Sequence, residues 1–179
     1  ARPMKVWSAA ASTGEEAHTV GVVLEDVRQT NPGFDYSVIG TDISSRVLEI
    51  AKKGHYVGRP VARFQKEDPL LFSKYMKGDD ANGFQVKPEI KRRLSFKLHN
   101  LLKQLPSGGP FDVVFLRNVL IYFTDEDQEK ILANVHSQLR PEGTLIIGES
   151  ETLTNLKCGF DPVAPLVYRP ALAPQRPVI

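Results

Sequence analysis

The sequence predicts an α/β fold in which a doubly wound parallel sheet carries a small antiparallel insert. Residues 4–16 have the pattern of a strand, a loop of small residues and the start of a helix. Residues 111–116 form a near-continuous apolar run, which is typical of a central strand buried on both faces. Between residues 55 and 98 the alternation of strands and helices breaks, which indicates the insert.

The length and composition fit one domain that needs no covalent cross-link. A chain of 179 residues buries roughly 70% of its unfolded surface. The net charge of +2 argues against a nucleic-acid partner. Cys158 is the only cysteine, so no intramolecular disulfide can form and a cytoplasmic location is expected. We expect no membrane insertion, because no apolar run approaches the roughly 18 residues of a span.

The loop after the first strand has the character of a ligand-binding turn. Residues 6–16 read V-W-S-A-A-A-S-T-G-E-E, and the small side chains at 8–11 allow a ligand to approach the backbone. Gly14 permits left-handed dihedral angles, and Ser12 or Thr13 can cap the following helix. The lack of a G-x-G-x-x-G pattern argues against a dinucleotide. An ordinary capped strand-to-helix turn fits the same residues.

The next segment completes a strand–helix–strand unit. Residues 17–28 have helical periodicity, and the helix should end before 31–33, which read N-P-G. Residues 36–41 are rich in β-formers and lead to Asp42. At the tip of a second strand a carboxylate can accept hydrogen bonds from both hydroxyls of a ribose. The alternative is that Asp42 caps the helix predicted at 44–53.

The predicted insert spans about residues 60–98. Asp68 and Pro69 should open a short helix through Tyr75, and the turn-rich residues 77–83 should join two strands of a hairpin. Residues 94–98 alternate as in a strand. A run of basic residues is either a solvated face or a surface that steers an acidic protein partner. That run contains Lys87, Lys91, Arg92 and Arg93.

The second half places polar residues after predicted strands. Asn100 follows the strand at 94–98, where its amide could bind a heterocycle or form an Asx turn. The buried strand at 111–116 leads into R-N-V-L-I-Y-F, residues 117–123, at the carboxyl end of the strand, where open α/β sheets bind ligands. A helix from Asp125 to Leu139 should follow.

The remaining residues predict two more strands. One covers residues 144–148 and is followed by acidic residues in the stretch G-E-S-E. A single last strand is predicted within residues 160–168. Residues 170–179 contain three prolines and are predicted to be a disordered tail.

Taken in order, these motifs resemble the S-adenosylmethionine domain of the chemotaxis-receptor methyltransferases, the CheR family, which esterify glutamate side chains of receptors. The sharpest parts are S-T-G-E-E and R-N-V-L-I-Y-F. The resemblance covers about residues 6–168. It implies a Rossmann-like class I methyltransferase sheet over residues 1–169, with residues 60–98 as an inserted β-subdomain.

The resemblance also assigns roles by matched position. It implies that Glu16 contacts the methionine amine of S-adenosylmethionine and that Asp42 contacts the ribose hydroxyls. Tyr122 would face the substrate glutamate and the departing methyl, with S-adenosylhomocysteine as the product. The adenosyl part would lie against four residues, Asn100, Leu101, Leu116 and Arg117. The implied partner is the cytoplasmic domain of a chemoreceptor, whose C-terminal peptide can bind the β-subdomain in some members.

Three departures from the family pattern accompany the resemblance. We expect the N-terminal helical domain, which supplies an arginine to the reaction centre, to be absent from this chain. His18 replaces the usual Tyr of the first helix, and Glu149 stands where a His is usual in G-H-S-E. A monomer without a metal is expected.

The family's reaction suits this set of residues. A glutamate carboxylate is already ionised at neutral pH, so methyl transfer to it needs no general base, and no catalytic His–Asp pair is evident. Tyr122 is the candidate to hold the acceptor, with a half-buried core position as its alternative.

Two other functions remain open: a non-catalytic domain that senses the cofactor or its product, and a nucleic-acid amine methyltransferase. Nucleic-acid amine methyltransferases commonly have an Asn/Asp-Pro-Pro-aromatic turn after the fourth strand. This chain has Arg117 and Asn118 at that position instead.

Overall fold

The structure is a computed structural model that describes residues 2–105 and 107–171. The chain divides into two compact units, Ala1–His99 and Asn100–Ile179. Most of the predicted tail, residues 172–179, lies outside the described residues. In the described part of the chain, no helix has the length and apolar character needed to cross a bilayer.

The first unit contains six strands and five helices among its described residues. They are β1 (Met4–Ala9), α1 (Glu15–Thr30), β2 (Tyr36–Asp42), α2 (Ser45–Lys53), β3 (His55–Tyr56), α3 (Arg59–Glu67), α4 (Pro69–Tyr75), β4 (Met76–Asp79), β5 (Gly83–Val86), α5 (Pro88–Lys91) and β6 (Leu94–Leu98).

Three of these strands are parallel, in the order β6-β2-β1. Val38 in β2 is opposite Val6 in β1 and Leu94 in β6. Helix α1 approaches this layer closely at Gly21, where an added Cβ would lie 2.8 Å from Ile90 Cγ2 and 2.9 Å from Leu94 Cδ1. The small residue is therefore needed for the helix to pack against α5 and β6.

The antiparallel insert forms a three-stranded sheet in the order β3-β5-β4. Its helix α4 begins as predicted, because the Asp68 carboxylate accepts a hydrogen bond from Leu71 N at 3.0 Å. Helix α3 was not predicted. The small sheet also differs from the predicted range 60–98: it includes β3, whereas β6 pairs with β2 in the parallel layer. The alternation of residues 94–98 indicated a strand but carried no information about its partner.

The residues of the second unit that the structure describes form four strands. Its elements are β7 (Phe111–Leu116), a 3-10 helix (Leu120–Tyr122), α6 (Asp125–Gln138), β8 (Leu139–Ile147), β9 (Phe160–Ala164) and β10 (Val167–Pro170). Strands β7 and β8 are parallel, whereas β10 is antiparallel to both β8 and β9. The prediction of one last strand is wrong, because the chain reverses at Leu166, whose φ is 64°. Pro170, assigned to the predicted tail, ends β10.

A buried carboxylate ties α1 to β2 in the first unit. The Glu25 side chain has no exposed surface, and it accepts a hydrogen bond from Arg28 Nη2 at 2.7 Å and from the Tyr36 hydroxyl at 3.2 Å. Arg93 Nε lies 3.5 Å from the same carboxylate. Burial raises the pKa of Glu25, but hydrogen bonds from Arg28, Gln29 and Tyr36 outweigh that effect and hold the pKa below its usual value.

We predict that Glu25→Gln lowers the free energy of unfolding by about 1–3 kcal/mol, because the donors from Arg28, Gln29 and Tyr36 lose their charged acceptor. The lowered pKa of Glu25 means that its contribution is complete above the ordinary pKa of 4.5 and is lost as the pH falls through the folded-state value. In urea unfolding, the free energy of unfolding of the variant should therefore fall less at acid pH than that of the parent. Glu49→Gln, which breaks an exposed pair with Lys52, is the control and should change little.

Candidate functional site

The loop after β1 is held in an unusual backbone conformation. Ala10, Ser12 and Gly14 have φ values of 59°, 49° and 90°. The loop is fixed by a hydrogen bond from Ala11 N to Thr41 O at 2.7 Å and by another from Gly14 N to Ala11 O at 2.9 Å. Left-handed non-glycine residues are costly and cluster at ligand-binding turns, which supports a functional loop here.

The helix cap at this loop differs from the sequence prediction. Gly14 is the N-cap of α1 and no side chain caps the helix, so the predicted cap by Ser12 or Thr13 is wrong. The Thr13 hydroxyl instead donates to the Glu15 carboxylate at 2.6 and 2.8 Å. Gly14 adopts a φ of 90°, so the chain enters the helix from a left-handed turn, and the Thr13 hydroxyl is engaged by Glu15.

Asp42 joins two loops through its carboxylate. Oδ2 accepts a hydrogen bond from Ser12 N at 2.9 Å, and Oδ1 accepts one from Ser44 N at 3.0 Å. Ser44, not Asp42, is the N-cap residue of α2. Each carboxylate oxygen retains acceptor capacity, which fits a pair of adjacent hydroxyls such as those of a ribose.

Glu16 lies in the first turn of α1, and its carboxylate is held by a hydrogen bond from a strand of the sheet. The buried Ser8 hydroxyl of β1 donates to Glu16 Oε1 at 2.7 Å. A half-buried carboxylate with a fixed position suits a primary ammonium group. Glu16 and Asp42 therefore supply the first unit with the hydrogen-bond acceptors that an amine and a diol require, and these two carboxylates fit the implied cofactor.

Two aromatic side chains behind the loop were not predicted as part of the site. The Tyr56 hydroxyl donates to Thr13 O at 2.9 Å, across 43 residues of sequence. His18 Nε2 lies 2.9 Å from Ala51 O, so this nitrogen carries the proton. His18 is 3% exposed, and burial lowers its pKa, so the ring is neutral. No sequence signal could reveal these contacts, since each joins residues from separate elements.

The end of β7 carries the candidate residues of the second unit. Leu116 is completely buried, Arg117 is exposed, and Asn118 has a φ of 57°. Tyr122, in the 3-10 helix, is 77% exposed. Tyr122 is therefore not the half-buried core tyrosine of the alternative interpretation. Its phenol is accessible to a substrate.

Asn100 and Leu101 begin the second unit. Asn100 Oδ1 accepts a hydrogen bond from Leu102 N at 3.0 Å, which is the Asx turn considered as its alternative role. The Asn100 amide nitrogen has no hydrogen-bond partner among the described residues, so it can still donate to a ligand. Leu101 is buried, and its carbonyl accepts from Asn134 Nδ2 at 2.9 Å. This second contact holds the turn against α6.

Comparison with known proteins decides the family. The family model described as "CheR methyltransferase, SAM binding domain" matches residues 1–165. The chain belongs to this family. The cofactor predicted from the sequence is the one that the CheR family's description names, and the predicted family membership is confirmed.

Curated relatives agree with the CheR assignment. The chain is 37% identical to the chemotaxis protein methyltransferase of Vibrio parahaemolyticus over 166 residues, covering 90% of this chain and 59% of that protein. It is 38% identical to that of Salmonella typhimurium over 168 residues, covering 92% of this chain and 57% of the relative. The chain thus spans less than two thirds of the length of these relatives.

Solved structures confirm the fold class. The glycopeptide N-methyltransferase MtfA, complexed with sinefungin, is similar with a TM-score of 0.52 and 14% identity, over 80% of this chain and 42% of MtfA. At this identity the likeness concerns the fold alone. It agrees with the predicted class I methyltransferase fold.

The two substitutions noted within the CheR pattern have different settings. His18 is a buried residue that packs edge-on against Tyr56, with ring centroids 5.7 Å apart. Glu149 is exposed just beyond β8. Neither belongs to the pair of acceptor carboxylates, Glu16 and Asp42.

We predict that Gly14→Ala destabilises the protein more than Gly33→Ala. Both glycines have a φ of 90°, so each substitution incurs the cost of a left-handed alanine, about 1–2 kcal/mol. Only at Gly14 would the added Cβ lie 2.7 Å from Ala51 Cβ, and overpacking adds about 1–3 kcal/mol. At Gly33 nothing lies within 4 Å. Urea unfolding of both variants tests this, and equal losses would contradict the close contact.

Proposed function

We propose that this chain is the cofactor-binding and catalytic domain of an S-adenosylmethionine-dependent protein-glutamate O-methyltransferase that acts on the cytoplasmic domain of chemoreceptors. The observation that carries the proposal is its membership of the CheR family over residues 1–165. The names of the curated relatives support the chemotaxis role. The products would be a glutamate methyl ester and S-adenosylhomocysteine.

The first unit would hold the amino-acid and ribose groups of the cofactor. Glu16, oriented by Ser8, would pair with the methionine ammonium. Asp42 would accept from the two ribose hydroxyls while Ser12 N and Ser44 N keep its carboxylate in place. Preorganisation of this kind lowers the entropic cost of binding, because the carboxylates are already fixed.

The second unit would contribute to adenosyl binding. The amide nitrogen of Asn100 would donate to the heterocycle, and the backbone of Leu101 and Leu116 would border it. Arg117 would lie beside the same group. These assignments follow the matched positions of the CheR pattern, and the Asx turn of Asn100 supports them by fixing the amide plane.

Chemically, the site needs to position rather than to activate the acceptor. S-adenosylmethionine, when bound, supplies an electrophilic methyl group on a sulfonium. A glutamate acceptor has a reference pKa of about 4.3 and is ionised at neutral pH, so no side chain has to remove a proton. Tyr122 would donate a hydrogen bond to the acceptor carboxylate and hold it in line, and such alignment supplies much of the rate gain in transfer reactions.

The antiparallel insert is the proposed place for a receptor peptide. Strand β4 lies at the edge of the small sheet, and most of its residues are exposed. An edge strand offers unpaired backbone groups to an extended peptide.

We propose that the chain acts as a monomer in the cytoplasm.

The proposed reaction is tested with labelled S-adenosylmethionine and the cytoplasmic fragment of a chemoreceptor. Glutamate methyl esters release methanol in alkali, so the expected result is base-labile label on the receptor fragment. No transfer, with S-adenosylhomocysteine still bound, would favour the non-catalytic sensor.

We predict that Tyr122→Phe lowers kcat on the order of 100-fold while the KM for the cofactor stays nearly unchanged, because only the acceptor loses a hydrogen bond. Tyr168→Phe, a half-buried tyrosine of β10, is the matched control and should keep the parental kcat. Steady-state kinetics with the receptor fragment measures both. A parental kcat in Tyr122→Phe would remove Tyr122 from the reaction.

A further inference from the structure

One buried carboxylate in the second unit accepts four backbone hydrogen bonds. Glu151 is 8% exposed. Its Oε1 accepts from Val119 N and from Leu120 N, both at 2.8 Å. Its Oε2 accepts from Asn118 N at 3.0 Å and from Gly148 N at 2.7 Å. Among the described residues no Lys, Arg or His pairs with Glu151, so backbone N–H groups alone compensate its charge.

These four donors are not satisfied by regular structure. Strand β7 ends at Leu116, before the three consecutive donors of the loop. Leu120 begins the 3-10 helix, and its N–H is one of the groups that a helix start leaves without a partner. A buried backbone donor without an acceptor costs about 1–3 kcal/mol, so the loop conformation depends on an acceptor from elsewhere in the fold.

Gly148 provides independent evidence that this arrangement is tight. A Cβ added at Gly148 would lie 2.9 Å from Glu151 Oε2 and 2.9 Å from Asn118 N. The absence of a side chain therefore allows the end of β8, the carboxylate and the loop to meet. Asn118 itself has a φ of 57°, in the left-handed region that asparagine tolerates better than most non-glycine residues.

The segment fixed in this way carries the residues assigned to the reaction. Arg117 immediately precedes the three donors, and Tyr122 follows the last of them by two residues. We propose that Glu151 is a positioning residue that sets the backbone of residues 117–122 and thereby the location of the Tyr122 phenol. This inference rests on the proposed function of Tyr122, but the role of Glu151 in the loop has a test of its own.

Glu151→Gln is the discriminating variant. It keeps the shape of the side chain, but its amide NH₂ group replaces one acceptor oxygen and faces backbone donors. Amide hydrogen exchange followed by NMR should show faster exchange at Asn118, Val119, Leu120 or Gly148, with β1 and β2 unaffected. Parental exchange at all four amides would overturn the proposal. Glu126→Gln, at an exposed carboxylate of α6, is the control.

The link to Tyr122 is tested by a double-mutant cycle on methyl transfer to the receptor fragment. A displaced phenol should lower kcat on the order of 100-fold in Glu151→Gln. If Glu151 acts through Tyr122, adding Glu151→Gln to Tyr122→Phe should lower kcat little further. Full additivity of the two losses would overturn the positioning role. Absence of methyl transfer by the parent would refute the proposed function instead, and the exchange experiment would still decide whether Glu151 holds the loop.

Discussion

The conformation of the candidate ligand loop depends on the Asp42 carboxylate. Its hydrogen bonds to Ser12 N and Ser44 N connect the turn after β1 with the start of α2. The turn contains two non-glycine residues at positive φ, and such a conformation persists only where other contacts compensate its cost. The same carboxylate has acceptor capacity left for a ribose. In the proposed function, structural support and cofactor recognition are therefore combined in one side chain.

Glu151 stabilises a loop of the second unit in the same way. In both cases a carboxylate accepts backbone N–H groups that strands and helices leave unpaired, and in both cases the segment concerned follows a parallel strand. Charge-assisted hydrogen bonds are about twice as strong as neutral ones, so one carboxylate can stabilise a loop against several competing conformations. The difference is that Asp42 keeps capacity for a ligand, whereas Glu151 is occupied by four backbone donors.

Local signals explain what the sequence could predict. Asp68 and Pro69 mark a helix start, and a strand that ends in Asp42 predicts a nucleoside-binding position, because each pattern is contiguous in the chain. The contacts that complete the sites join distant residues. Tyr56 contacts the loop at Thr13 across 43 positions, and three of the four donors to Glu151 lie 31–33 residues before it. The sequence G-E-S-E places acidic residues after a strand but does not indicate which N–H groups they contact.

We expect the first unit to bind S-adenosylmethionine through the Asp42 carboxylate. Titration calorimetry of the chain with S-adenosylhomocysteine, beside Asp42→Ala and the exposed control Asp80→Ala, tests it most directly. We expect the parent and Asp80→Ala to bind equally, and Asp42→Ala to bind on the order of 100-fold more weakly, since hydrogen bonds to a charged group are worth about 1.5–3 kcal/mol each. Undiminished binding by Asp42→Ala would contradict the account, as would a parent that does not bind.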